Sequence, residues 1–584
     1  MPTIPSKSVR FRPFFFYLPR DNAYPKPSSP MPYFDLHCHP TFKYTLTHID
    51  GQPSPAIEEP ITIQFKGLAT HFRGLAMWVF GEPLDSQSCF SQVFEGGSNL
   101  ISHTIYSLEN AYTRSSIISQ LGCVSNSLNS AKVKAILDGT TGYFSLAQEQ
   151  ITLLTELDKH HTSIGAGGRK LKVINDFSDY DPTDSGTLHV MLNVEGGHCF
   201  YTGQANTGPT VEQEILGNLK ALKKSGVRLL YITLVHHAQN ALANHAFAVP
   251  SQWAGAGTGV GNVGGFNPTG AGITPLGRKF IEQALSVQDG QPIYIDIKHM
   301  SLGSRMDYYE LRRQNHPDVP IIASHMGVTG LSWHATQHRG QPIIRYIRQR
   351  PDYVDVKYND IISYPLTIPQ PSPTSPLPAP TSVVTFNPWS INLFDEDITE
   401  ILASDGLIGL SLDIRILGMG NDGRVAYEHE AERLSLYEGL FSVQDHLQNG
   451  HNDFEHLPDH RIQASLAHVE YLCNNLLHMV RVGRKVVGER VWDHLCVGSD
   501  LDGLIVSIEY ANNKRVRANT IPNLRSKLKA TLPQVAQKMG MPLIVDGTPT
   551  DQFLERVLDK FLIGNALRFL KKYYTQSVPH ALPA

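Results

Sequence analysis

Cysteine is scarce in this chain: six residues among 584, Cys38, Cys89, Cys123, Cys199, Cys473 and Cys496, with no CxxC pair among them. Such scatter excludes a disulfide framework or a zinc ribbon and reads as reduced thiols. A surplus of one charge is lacking too. Fifty Lys+Arg stand against fifty-four Asp+Glu, a formal charge of −4, so nothing electrostatic speaks for nucleic acid or an anionic membrane. No apolar run approaches the roughly 20 residues that span a bilayer. The apolar part of the N-terminal FRPFFFYLPR is shorter than a signal h-region of about 7–15 residues. The expectation is a protein without a transmembrane segment, located in the cytoplasm. What is present is 41% hydrophobic and 18% charged residues, enough apolar material for a large core and a protein that works on small molecules.

Short runs rich in Val, Ile and Leu recur between helical patterns, as the buried strands of a parallel sheet do. Eight stand out: residues 33–39, 74–80, 187–197, 227–237, 292–300, 319–327, 406–413 and 494–503. Eight is the strand number of a TIM (β/α)8 barrel, and the expected fold class is α/β of that type with long helical and loop insertions. Between strands, VEQEILGNLKALKKSG places Ile215, Leu216, Leu219 and Leu222 on one helical face, with Gly226 as a stop. DQFLERVLDKFLIGNALRFLKKYY has helical spacing with an interruption expected at Gly564. Residues 81–186 are too long for a simple crossover and are expected to insert a helical layer, with an amphipathic stretch near 98–120. Residues 254–272 carry eight glycines and residues 365–380 seven prolines, so both are read as loops. One barrel domain is expected over 31–575, with insertions near 81–186, 254–272 and 330–394. Residues 1–30 form a tail ahead of Met31 and 576–584 a C-terminal tail.

Polar residues gather where these strands end: His37 and His39 on the first, Glu195 on the third, His236 and His237 on the fourth, His299 on the fifth, His325 on the sixth, Asp500 and Asp502 on the eighth. In a parallel barrel the C-terminal strand ends form one rim, where active sites are assembled. The period of two puts the imidazoles of His37 and His39 on one side, able to grip one ion, with Cys38 facing away. His299 and His325 can hold a second, with Glu195 bridging. Two divalent ions about 3.5–4 Å apart can activate one shared water.

Other motifs fail on context. Gly259-Val260-Gly261-Asn262-Val263-Gly264 fits GxGxxG but neither follows a strand directly nor opens a helix, so it offers a pyrophosphate nothing. His334 and His338 stand at i,i+4, but Ala335 occupies the place of a general base, and the pair is read as surface. Cys199 and His198 are assigned structural roles.

The motifs DLHCHP, NVEGGHCF, YITLVHHAQN, ITPLGRKFIEQA, IYIDIKHMS, IIASHMG, VGSDLDG and IGNALRF, in this order, resemble the renal (membrane) dipeptidase family of the amidohydrolase superfamily, over much of residues 33–570. The resemblance implies a zinc enzyme with two divalent ions, held by His37, His39, Glu195, His299 and His325. It implies that His236 contacts the substrate or its developing oxyanion and that Asp500 handles the proton of the bridging water. The chain departs from the family's His-x-Asp on the first strand, having His37 and His39, which removes one negative charge from the site. A dipeptidase also needs a group for the free carboxylate of its substrate, and the forked guanidinium of Arg415 is the first candidate, Arg339 the second. The expected partner is a small molecule or dipeptide, with room for a homodimer. A lactone, phosphoester or non-peptide amide substrate, or a non-catalytic metal-containing binding protein, are the alternative readings.

Overall fold

A computed structural model describes residues 33–47, 56–61, 85–114, 129–164, 168–201, 209–238, 240–246, 248, 272–330, 344–349, 354–358, 386–387, 390–418, 468–511, 514–544, 547–548 and 550–575. Its main sheet has nine strands: β1 (Asp35–Cys38), β2 (Leu100–Tyr106), β3 (Lys170–Val173), β4 (Thr187–Glu195), β5 (Leu229–Thr233), β6 (Tyr294–Asp296), β7 (Ile322–Met326), β8 (Leu407–Leu410) and β9 (Leu495–Val497). Eight of them run in the order β1-β2-β4-β5-β6-β7-β8-β9, every neighbouring pair parallel, while β3 pairs with the start of β4. The ends of this series meet. Cys38 bridges Leu501 in parallel register, the His39 amide donates to the Leu501 carbonyl at 2.9 Å, and the Asp500 amide donates to the His37 carbonyl at 2.9 Å. The sheet is therefore a closed (β/α)8 barrel, with a helix after each barrel strand, for example Pro209–Lys224 after β4, Pro275–Leu285 after β5 and Leu302–Asn315 after β6.

Seven of the eight expected strands are present. The run 74–80 lies outside the described residues, and β2 takes the second position in the barrel. It comes from the segment expected to be helical, and this corrects the reading of 81–186 as a helical insertion alone. Its seven residues pair one for one with β4, from Leu100 with His189 to Tyr106 with Glu195, and all seven are buried. The polar residues that gave the segment its amphipathic look are satisfied inside: Asn193 Nδ2 donates to Ser102 Oγ at 2.8 Å, and His103 Nε2 lies 3.0 Å from Thr41 Oγ1. Burial drives the His103 imidazole down to about 3, so it packs as a neutral ring. The proline-rich stretch at 365–380 and the glycine-rich stretch at 254–272, except for Gly272 itself, also lie outside the described residues.

The helix Pro209–Lys224 buries Ile215, Leu219 and Leu222 as its spacing predicts, and Gly226 follows at φ +84°, a conformation glycine adopts without strain. Full burial of one such aliphatic side chain stabilises by about 1.5–3 kcal/mol. Near the C-terminus, the expected interruption takes the form of a π-turn over Lys560–Gly564 joining Thr550–Asp559 to Asn565–Tyr573. One contiguous apolar core includes Tyr33, the barrel strands and Tyr574.

Candidate metal centre

The closed barrel brings the strand-end residues to one point. His37 ends β1 with its Nε2 3.1 Å from His39 Nε2, and His299 Nε2 lies 3.2 Å from His325 Nε2. Glu195 stands between the two pairs. Its Oε2 is 3.3 Å from His39 Nε2, and its Oε1 is 3.5, 3.0 and 3.5 Å from Nε2 of His37, His299 and His325. Asp500 Oδ1 faces the first pair, 3.5 Å from His39 and 3.8 Å from His37. His236 Nε2 approaches from the other side, 3.8 Å from Glu195 Oε1. The four imidazoles of the two pairs and Glu195 are each at most 3% exposed.

Local backbone aims these groups. Gly196 turns the chain away after Glu195 at φ +92°, where a Cβ would lie 2.3 Å from the His198 ring. His299 and Asp500 adopt φ +65° and +63°, the left-handed region that non-glycine residues rarely occupy and that recurs at functional sites.

Hydrogen bonds on the far side of two rings decide which nitrogen faces the centre. Tyr231 Oη gives its only proton to the Leu36 carbonyl at 3.0 Å, so at 2.8 Å it accepts from His37 Nδ1–H. Ser324 Oγ gives its proton to Asp296 Oδ2 at 2.5 Å, so at 2.7 Å it accepts from His325 Nδ1–H. Both rings therefore turn Nε2 inward, the nitrogen through which imidazole would bind a metal. Four imidazole Nε2 atoms converging on a shared carboxylate fit a divalent cation. His37, His39 and Glu195 form one group able to hold an ion, and Glu195, His299 and His325 another.

The electrostatics agree with that fit. Burial lowers the affinity of His39 for a proton, but hydrogen bonds to Asp500 and Glu195 outweigh it and hold the ring up at about 9. Without a cation, a proton must occupy this place. Burial would raise Glu195, yet the neighbouring imidazoles of His236 and His37 and the hydrogen bond with His299 hold it well below the usual carboxylate range. Asp500 is pushed up by burial, opposed by its hydrogen bond with His39 and reinforced by the charge of Glu195. Buried Lys298, whose Nζ has no hydrogen-bond partner among the described residues, is brought down to about 8 by desolvation.

The remaining expected residues divide. Asp502 points elsewhere: it pairs with Lys43 Nζ at 2.5 Å and accepts from the amides of Gln87 and Ser88, both at 2.8 Å. Arg415 stands near Asp500 and Tyr112, but its guanidinium is already bound by Asp413, with Nη2 2.5 Å from Oδ2. Arg339, His334, His338 and the GxGxxG motif lie outside the described residues. His198 and Cys199 are buried beside the site, His198 Nε2 2.8 Å from the Ser107 carbonyl. Sequence reasoning missed Tyr231, Asp296, Ser324 and Glu109: Tyr231, Asp296 and Glu109 are brought to their histidines only by the folded barrel, and Ser324 alone stood beside a candidate ligand, His325.

No family model matches the chain, and no curated protein matches it. Its structural neighbours include metallopeptidases. A crystal structure titled as a dipeptidase and metallopeptidase of family M19 is 13% identical, with a TM-score of 0.45 over 94% of this chain and 99% of that one. A metallopeptidase from Rhodobacter sphaeroides, liganded with a phosphinate mimic of the dipeptide L-Ala-D-Ala, is 14% identical, with a TM-score of 0.45 over 93% and 99%. A probable dipeptidase from Pseudomonas aeruginosa is 12% identical, with a TM-score of 0.42 over 84% and 89%. The barrel assignment rests on the strand order and the site on its own geometry.

Proposed function

We propose that the chain is a binuclear metal-dependent hydrolase that cleaves the amide bond of dipeptides. The observation that carries this reading is the arrangement of two histidine pairs on one carboxylate, with Asp500 beside the first pair and His236 opposite. His37 and His39 would hold one ion, His299 and His325 the other, and Glu195 would bridge. An all-imidazole and carboxylate donor set suits Zn²⁺. Divalent ions bound there would supply Lewis acidity and make a water more acidic. Asp500, a carboxylate raised by burial and within reach of the first pair, is the residue placed to accept a proton from an attacking water and return it to the departing amine. His236 directs Nε2 at the oxygen that gains charge. Exclusion of solvent by the buried imidazoles strengthens each of these interactions.

A lactone, phosphoester or non-peptide amide is the second reading. It is favoured by the pairing of Arg415 with Asp413, which partly neutralises the first candidate for a substrate carboxylate. Hydrolysis rates against a panel of dipeptides, lactones and phosphoesters, with and without Zn²⁺, Mn²⁺ and Co²⁺, test both. Metal-dependent release of free amino acids supports the dipeptidase reading. Turnover confined to esters or lactones, or no turnover with both ions bound, rejects it.

A further inference from the structure

Glu109 lies three residues past the end of β2, in the segment whose strand was not expected. Only 3% of it is exposed. Its Oε2 is 2.6 Å from His236 Nδ1 and accepts a hydrogen bond from Tyr106 Oη at 3.2 Å, while its Oε1 accepts from the Ala238 amide at 2.9 Å. Both carboxylate oxygens are thus spent on the His236–Ala238 segment and its packing partner. The imidazole they hold is flanked by Tyr106 at 4.9 Å, edge to face, and stacked on His237 at 3.9 Å between ring centroids. A carboxylate at 2.6 Å makes a charge-assisted hydrogen bond, stronger and more directional than a neutral one.

We infer that Glu109 is the positioning residue of His236, accepting its Nδ1–H and fixing its ring plane so that Nε2 is presented to the reacting atoms. The β2–β4 register explains why this residue serves. Tyr106 pairs with Glu195, so the chain leaving β2 rises beside the carboxylate at the heart of the centre, and three residues bring Glu109 level with the end of β5. Glu109 touches neither histidine pair. Its removal should therefore spare the metals and act through His236 alone. The neutral amide of glutamine can still accept from Ala238, but it then turns an N–H toward His236 Nδ1, which disfavours the Nδ1–H form and frees the ring to rotate.

This assignment rests on the proposed hydrolysis, and Glu109→Gln in the full-length metal-loaded protein tests it. Loss of a partner that orients an active-site histidine typically costs about 10- to 100-fold. The expected result is a fall of that size in kcat, with KM within about 3-fold and metal content unchanged. The double variant Glu109→Gln/His236→Ala should be no slower than His236→Ala, because residues that act as one unit are not additive. A proton resonance far downfield, from the short Nδ1–H to carboxylate bond, should be present in the parent protein and absent from both single variants. Additive losses, a loss of metal, a change confined to KM, or a downfield resonance that survives in Glu109→Gln each overturn the assignment. A parent protein inactive on dipeptides whose downfield resonance disappears in Glu109→Gln overturns the dipeptidase reading and leaves the positioning of His236 standing.

Discussion

Replacing Asp500 by asparagine separates chemistry from architecture at this rim. The Asp500 side chain is 14% exposed, and its Oδ1 sits 3.5 and 3.8 Å from the Nε2 atoms of His39 and His37. Asparagine keeps the size and one acceptor but cannot take a proton. Loss of a general base typically costs about 10²- to 10⁴-fold, or about 3–5 kcal/mol on the barrier. The fall should appear in kcat with KM less affected, while His37, His39, Glu195, His299 and His325 keep the ions. Asp502→Asn should do the opposite. Asp502 is 1% and Lys43 4% exposed, and they form a buried ion pair; leaving such a lysine uncompensated costs about 3–5 kcal/mol of stability. Its turnover per folded molecule should be near that of the parent, and its urea midpoint should drop. Dipeptide hydrolysis, elemental analysis by mass spectrometry and urea unfolding read the three quantities. If Asp502→Asn abolishes turnover with its stability intact while Asp500→Asn turns over normally, the base is assigned to the wrong aspartate. If both keep full turnover with both ions bound, the proton path through this strand end is wrong.

Three further outcomes are expected. A cation at the first histidine pair must displace the proton that His39 carries below about 9, so metal affinity should fall about tenfold per pH unit as pH drops below that value, for one displaced proton; competition with a chelator at pH 6, 7 and 8 checks this, and a flat profile rejects it. Tyr231→Phe removes the acceptor for His37 Nδ1–H and should weaken metal binding about 10- to 100-fold with little change in fold, measured by the same competition and by circular dichroism. Against the cost of burial, His236 holds Glu109 down at about 2, below its ordinary 4.5. The pair therefore contributes stability that is present above pH 4.5 and is lost as pH falls toward 2. Urea midpoints between pH 2.5 and 6 should show that loss in the parent protein and a flatter curve in Glu109→Gln.

The barrel was legible where strands are apolar throughout. Runs such as 227–237 and 319–327 carry nearly continuous β-branched and aliphatic residues, the mark of strands buried on both faces. The second strand was not, because Ser102-His103-Thr104 in its middle looks like a polar helical face. Nothing in the sequence says that Asn193 and Thr41 will meet those groups inside the protein. The site divides in the same way. Histidines and acids at strand ends announce themselves through the geometry of a parallel barrel, so His37, His39, Glu195, His236, His299, His325 and Asp500 were readable. Choosing Asp500 over Asp502 took the family resemblance, since a period of two puts both on one side; the structure separates them by giving Asp502 to Lys43. The partners behind the ligands were unreadable. Tyr231 lies 194 residues from His37, and Glu109 lies 127 from His236. Such pairings exist only once the strand order is known.

The seam where the first strand meets the last has a consequence for how the protein is made. His37 and His39 leave the ribosome more than 450 residues ahead of Asp500 and the Leu501 carbonyl that receives the His39 amide. At about 5–20 residues per second, that interval lasts roughly half a minute to a minute and a half. Throughout it the nascent chain has one half of a seam and an open barrel. The barrel cannot close before β9 has been made, and a truncated product that lacks β9 is left without its closing strand. Closure of the seam thus doubles as a check that the chain has been made through β9.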